Sequence, residues 1–180
     1  MKAPFTHDDL VQIGRDWCLR PWKNADSGHS GCGLVIAEMT SSAFETPDVI
    51  GWNSYSSILI EAKTSRSDFK RDHKKVFRRC PDMGVGKQRY FITPKGLISK
   101  DELPDNWGLI EVNDEGKTRV VQNSGRFVSE ERSEVTMLLS LIRRLKIEPD
   151  RHIAIKGYTL NTLKEPKATF HLVKEGGFDE

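Results

Sequence analysis

The chain has 180 residues, 37% hydrophobic and 30% charged, with 14 glycines and 8 prolines; this suits one globular domain and excludes a collagen-like or disordered composition. No apolar run approaches the roughly 20 residues of a membrane-spanning helix, the N-terminus lacks the apolar core of a signal peptide, and three irregularly spaced cysteines make no secreted disulfide framework, so a cytoplasmic protein is expected. The net charge of +2 excludes a histone-like polycation.

Thr6 with Asp9 reads as a capping box, and Leu10, Ile13 and Trp17 recur at helical spacing, which predicts a helix from His7 to Arg20. Turn chemistry fills Pro21 to Cys32, and Gly33 to Met39 reads as a strand. Asp48–Trp52 and Ser57–Lys63 are short apolar runs separated by four polar or aromatic residues, a hairpin pattern. Ser65 and Asp68 form a second capping-box pattern, opening a helix to Arg79 with Phe69, His73, Val76 and Phe77 inward. This segment is strongly basic: from Lys63 to Arg79 eight basic residues stand against two acids, a local +6, while the rest of the chain nets −4. Such a segment is either a polyanion-facing surface or a solvated helix face, and charge alone does not decide between them.

Beyond Pro81, Gln88–Thr93 reads as a strand, and Trp107–Val112 with Thr118–Gln122 as a second hairpin. Ser129 caps a helix with Val135, Leu138, Leu139, Ile142 and Leu145 on one stripe, stopped by Pro149. Residues 150–180 form a C-terminal extension, with Ile153–Tyr158 and Thr169–Lys174 as a candidate β-hairpin. The order of elements predicts an α/β domain.

The first hairpin carries the chemistry. If its turn centres on Ser54 and Tyr55, opposed residues have numbers summing to 109, which places Asp48 opposite Glu61. Strand alternation puts Glu61 and Lys63 on one face, roughly 6–7 Å apart, and Ile58, Ile60 and Ala62 on the other. Opposed carboxylates with Cβ atoms about 4.5–5.5 Å apart repel, so a cation belongs between them. Lys63 supplies part of that charge, and a hard divalent ion such as Mg²⁺ or Mn²⁺ suits the remainder. The competing explanation is an ordinary cross-strand Glu–Lys network on a surface hairpin.

Pro47-Asp48 followed by Glu61-Ala62-Lys63 at the end of an apolar strand resembles the PD-(D/E)xK nuclease superfamily. Ala37-Glu38-Met39-Thr40, the run from Glu61 through Phe69 to Lys74, Tyr90-Phe91-Ile92-Thr93-Pro94 and Gly108-Leu109-Ile110-Glu111 are similar to the MmcB-like group of DNA-repair nucleases. The resemblance implies a restriction-endonuclease-like core, a central mixed β-sheet flanked by helices, over residues 1–149. It implies a metal-dependent nuclease that hydrolyses phosphodiester bonds in DNA during repair, recombination or mobile-element processing, with RNA left open as substrate. Asp48, Glu61 and the carbonyl of Ala62 would hold Mg²⁺ or Mn²⁺, and Lys63 would be the catalytic lysine. Glu38 matches an acid that contributes through a water or a second metal, or it is a plain strand-end acid. Asp68 and Asp72 match acids of the following helix, though capping and pairing along the helix explain them equally.

Arg66, Lys70, Arg71, Lys74, Lys75 and Arg78 would contact nucleic-acid phosphates without reading bases. The rival reading of the whole chain is a nuclease-fold accessory module that binds nucleic acid or protein without cutting. A second copy of the chain or a protein partner would dock through the C-terminal extension, and no membrane is involved. His29 and Cys32 are spaced like metal ligands, but no second such pair accompanies them, and His73 reads as packed. Trp52 shares a strand face with Asp48 and is a candidate substrate contact.

Overall fold

The structure, a computed structural model, describes residues 5–20 and 31–145. The extension from 150 to 180, with its expected hairpin, lies outside these residues, as do Trp22 and His29. Helix α1 (His7–Leu19) begins at the predicted capping box, with Thr6 and Asp9 each accepting from the other's backbone. Six strands follow: β1 (Leu34–Ala37), β2 (Val49–Trp52), β3 (Ser57–Ala62), β4 (Gln88–Pro94), β5 (Gly108–Val112) and β6 (Thr118–Gln122). They form one sheet in sequential order, with β3, β4 and β5 mutually parallel and the outer pairings antiparallel. Helices α2 (Arg66–Asp72) and α3 (Val76–Arg79) lie in the crossover from β3 to β4, and α4 (Glu131–Arg144) closes the described chain. The fold is α/β, a mixed sheet with helices against both faces.

The two faces follow strand alternation. Ile58, Ile60 and Ala62 join Val49, Tyr90, Ile92 and Ile110 under Leu10, Val11 and Trp17 of α1. Leu59, Ile50, Phe91 and Leu109 pack on the other side with Phe69 of α2 and Met137 and Leu141 of α4. The hairpin register is the expected one: Val49 opposes Ile60 and Trp52 opposes Ser57, both pairs summing to 109. Asn53 closes its turn, its side chain accepting from the amides of Tyr55 and Ser56.

Three expectations are corrected. β1 ends at Ala37 rather than Met39, because Glu38 takes a left-handed backbone with φ of 49° while its N–H donates to Asp48 O. The helix expected from Ser65 to Arg79 breaks at His73–Lys75, so His73 and Val76 are exposed and Asp72 turns inward instead. The α4 stripe is rotated. Glu130, not Ser129, is its N-cap; Met137 and Leu141 are buried, while Val135, Leu139 and Leu145 are exposed.

Long-range hydrogen bonding explains the rotation. The buried Glu134 carboxylate accepts from Trp52 Nε1 (2.8 Å), Ser57 Oγ (2.8 Å), the Gly86 amide (2.9 Å) and Ser129 Oγ. A buried carboxylate needs such partners. Satisfying it turns Glu134 toward the sheet and swings the leucine stripe away.

Candidate active site at the β2–β3 hairpin

The pairing that sets the register also fixes the two acids. Asp48 lies one residue before β2, and its Oδ2 accepts from the Ala62 amide at 2.8 Å, which anchors it to the end of β3. Glu61 and Lys63 project from the β3 face away from α1, and both are buried, with Glu61 fully so. The cleft expected there is filled. Lys63 Nζ lies 3.1 Å from both Glu61 Oε2 and Asp72 Oδ1. Lys75 Nζ lies 2.7 Å from Glu61 Oε2 and 3.0 Å from Asp72 Oδ1. Arg78 completes the network: Nε donates to Asp72 Oδ2, Nη2 lies 3.3 Å from Glu61 Oε1, and Nη1 lies 3.4 Å from Glu45 Oε1.

The chain breaks at His73–Lys75 between the two helices, and Asp72, Lys75 and Arg78 from either side of the break all point toward β3. Arg78 also lies over the Trp107 ring at 4.2 Å from its centroid, so the guanidinium is clamped between carboxylates and an aromatic face. Glu45 accepts from the Val85 amide at 2.9 Å, and burial pushes its carboxyl up. Three acids, Glu45, Glu61 and Asp72, therefore meet three bases, Lys63, Lys75 and Arg78.

Asp48 is the acid left outside that balance. Burial, and then the charge of Glu61, raise its carboxyl from 3.8 to about 6. Asp72 goes the other way: desolvation would raise it, but the charges and hydrogen bonds of Arg78, Lys63 and Lys75 win and hold it at about 2. Ion pairing with Glu61 and Asp72 overcomes desolvation and raises Lys63, keeping its amine protonated.

The mouth beside Asp48 holds a residue that sequence reasoning missed. His7 Nε2 lies 3.3 Å from Glu38 Oε1 and 3.8 Å from Asp48 Oδ1. Its position as the first residue of α1, after the capping box, was legible; its approach to the hairpin depends on how α1 docks. Among the described residues no group of three or more His, Cys, Asp or Glu side chains is gathered to hold a metal ion.

The basic residues divide. Lys70, Arg71 and Lys74 are exposed on α2 and the turn after it. Arg66 is exposed but engaged, pairing with Glu102 and donating to Leu97 O. Arg78 departs from expectation: its side chain is 2% exposed and faces carboxylates rather than solvent. Lys75 is half-turned, 39% exposed with its ammonium on Glu61. Trp52 is tied by its indole N–H to Glu134.

No protein-family model matches this chain, and no curated protein matches it. Among solved structures it is similar to the SPO1766 protein of unknown function from Silicibacter pomeroyi, with 20% identity over 63% of this chain and 77% of that one and a TM-score of 0.47.

Proposed function

We propose that the protein is a Mg²⁺- or Mn²⁺-dependent nuclease of the PD-(D/E)xK type, hydrolysing phosphodiester bonds in DNA. The observation that carries this reading is Asp48 held by the Ala62 amide beside Glu61, with Lys63 two residues on and with burial and the Glu61 charge raising the Asp48 carboxyl. The donor chemistry suits a hard divalent ion in that the charges of Asp48 and Glu61 repel each other, while Glu61 Oε1 also faces Arg78 Nη2 at 3.3 Å. Two protein carboxylates with waters and a substrate phosphate are what Mg²⁺ prefers, rather than an all-protein cage.

Asp48, Glu61 and the Ala62 carbonyl would hold the ion. When bound, it would lower the pKa of a water and offset charge developing on the phosphate. Asp48 must be ionised to serve, so it gives up its proton as pH rises past about 6. Lys63 stays protonated, held between Glu61 and Asp72, and presents a fixed positive charge to the developing phosphorane. Lys70, Arg71 and Lys74 offer the exposed charge to hold a backbone in place, with no element that reads bases.

The test is cleavage of single-stranded, duplex, flapped and branched DNA by the purified chain with Mg²⁺ or Mn²⁺. We expect cleavage that chelation stops and that Lys63→Ala abolishes; no cleavage of any substrate, or cleavage unchanged in Lys63→Ala, overturns the reading. One observation favours a second reading, a binding module that does not cut: Glu61 is already engaged by three cations. A binder would retain DNA equally in Glu61→Ala and without metal, and would leave it full length.

A further inference from the structure

Cys18 and Cys32 meet where the end of α1 passes the start of β1. The Cys32 amide donates to Cys18 O at 2.8 Å. Standard bond lengths then cap their Cα separation at about 6.7 Å, within the spacing of about 4.4–6.8 Å that disulfides use. The two side chains sit in the same core cluster. Room for the sulfur is built in: a Cβ on Gly51 would lie 2.7 Å from Cys32 Sγ, so the opposing strand carries no side chain there.

The two thiols differ in access. Cys18 is fully buried, whereas Cys32 is 5% exposed and lines an open cleft of about 450 Å³ with Leu19, Leu34, Trp52 and Asn53. The neighbouring Cys32 thiol, and then burial, push the Cys18 thiol well up, and Cys32 is the one that lines the cleft. Both are reduced in this structure.

We propose that Cys18 and Cys32 form a reversible redox pair, oxidised by small disulfides that enter the cleft at Cys32. The Cys32 thiolate attacks one sulfur of the small disulfide, forming a mixed disulfide and releasing one thiolate. Cys18 attacks the Cys32 sulfur as its proton passes to the departing sulfur; the Cys18–Cys32 bond forms and the second half of the small disulfide leaves as a thiol. The pair gives up two electrons, and the small disulfide is reduced to two thiols. The new bond ties α1 to β1 and closes the loop between residues 18 and 32.

The experiment uses the full folded chain with Cys80→Ser, which removes the exposed third thiol. Oxidised glutathione is the probe, followed by digestion without reductant and mass mapping. We expect a Cys18–Cys32 cross-linked peptide, loss of both thiols together, reversal by dithiothreitol, and a rise in Tm of about 6–12 °C for a loop of this length. Cys18→Ser in the same background should stop at one glutathione on Cys32. A stable glutathione adduct on Cys32 while Cys18 is present overturns the proposal. So does a pair that stays reduced in the folded chain under conditions that cross-link it in urea.

Discussion

Asp48 and Asp72 both belong to the charge network around Glu61, yet one carboxyl is raised to about 6 and the other held at about 2. Burial opposes the charge of both. The difference lies in the neighbours. Asp72 sits in the closed half of the site, within reach of Lys63, Lys75 and Arg78, all on segments that converge behind β3. Asp48 sits at the open mouth, where burial and the like charge of Glu61 outweigh the Ala62 amide and the charges of Lys63 and His7. The closed half is an assembled, charge-balanced structure. The mouth is an acidic position that wants a cation, and the functional reading rests on that contrast.

The strongest way to break the contrast is through activity. Asp48→Ala removes the acid at the mouth, and we expect DNA cleavage to fall by about 10³-fold with the fold intact by circular dichroism. Retained cleavage would show that the mouth is not where chemistry occurs. The next largest effect should appear in the closed half, and in stability. Arg78→Ala leaves Asp72, Glu61 and Glu45 without their shared guanidinium, and should cost about 3–5 kcal/mol in urea unfolding. Arg71→Ala, on an exposed side chain of the same basic segment, should change stability by less than about 0.5 kcal/mol. Equal effects would mean that the buried network is not holding α3 to the sheet.

The pH dependence separates the two acids by sign. Asp48 has a folded pKa above its unfolded 3.8, so its contribution is fully present below 3.8 and is lost as pH rises through about 6. Asp72 is depressed, so its contribution is present above 3.8 and is lost as pH falls through about 2. Asp48→Asn should therefore remove the decline in stability between pH 4 and 6 and leave the variant about 2–3 kcal/mol more stable than the parent at pH 7. Asp72→Asn should do the reverse, destabilising at pH 7. Urea midpoints across pH 3 to 8 give both slopes, and matching slopes for the two variants would refute the division of the site.

The mouth was largely legible in the sequence and the closed half was not. Strand alternation and the turn position are local, so the hairpin register followed from counting: the pairs from Val49–Ile60 to Trp52–Ser57 are the expected ones, and Asp48, one residue beyond them, rests on the Ala62 amide. Where the chain turns inward after β3 depends on carboxylates waiting at Glu61 and Glu45, far from Arg78 in sequence, so an unbroken helix with His73 inward was the natural expectation. The same physics rotated α4: Glu134 answers to donors at Trp52, Ser57 and Gly86, none of them local. Periodicity reads apolar stripes. It does not see a buried acid whose partners lie on other elements.

Lys75 tests the boundary between the halves, with the smallest expected effect. Its ammonium lies 2.7 Å from Glu61 Oε2 yet the side chain is 39% exposed, so it is the cation most easily moved. Arg78, at 2% exposed, is fixed by carboxylates and by Trp107. Lys75→Met keeps the aliphatic stem and deletes the charge, making the closed half acidic like the mouth. If Glu61 is shared between Lys75 and a divalent ion at Asp48, Mn²⁺ should bind the variant about tenfold more tightly by calorimetry, a gain of about 1.4 kcal/mol. The gain should vanish in Lys75→Met combined with Asp48→Asn, since Glu61 alone is a poor site. Unchanged or weaker Mn²⁺ binding in the single variant would mean that Glu61 belongs wholly to the buried network, and would favour the module that binds without cutting.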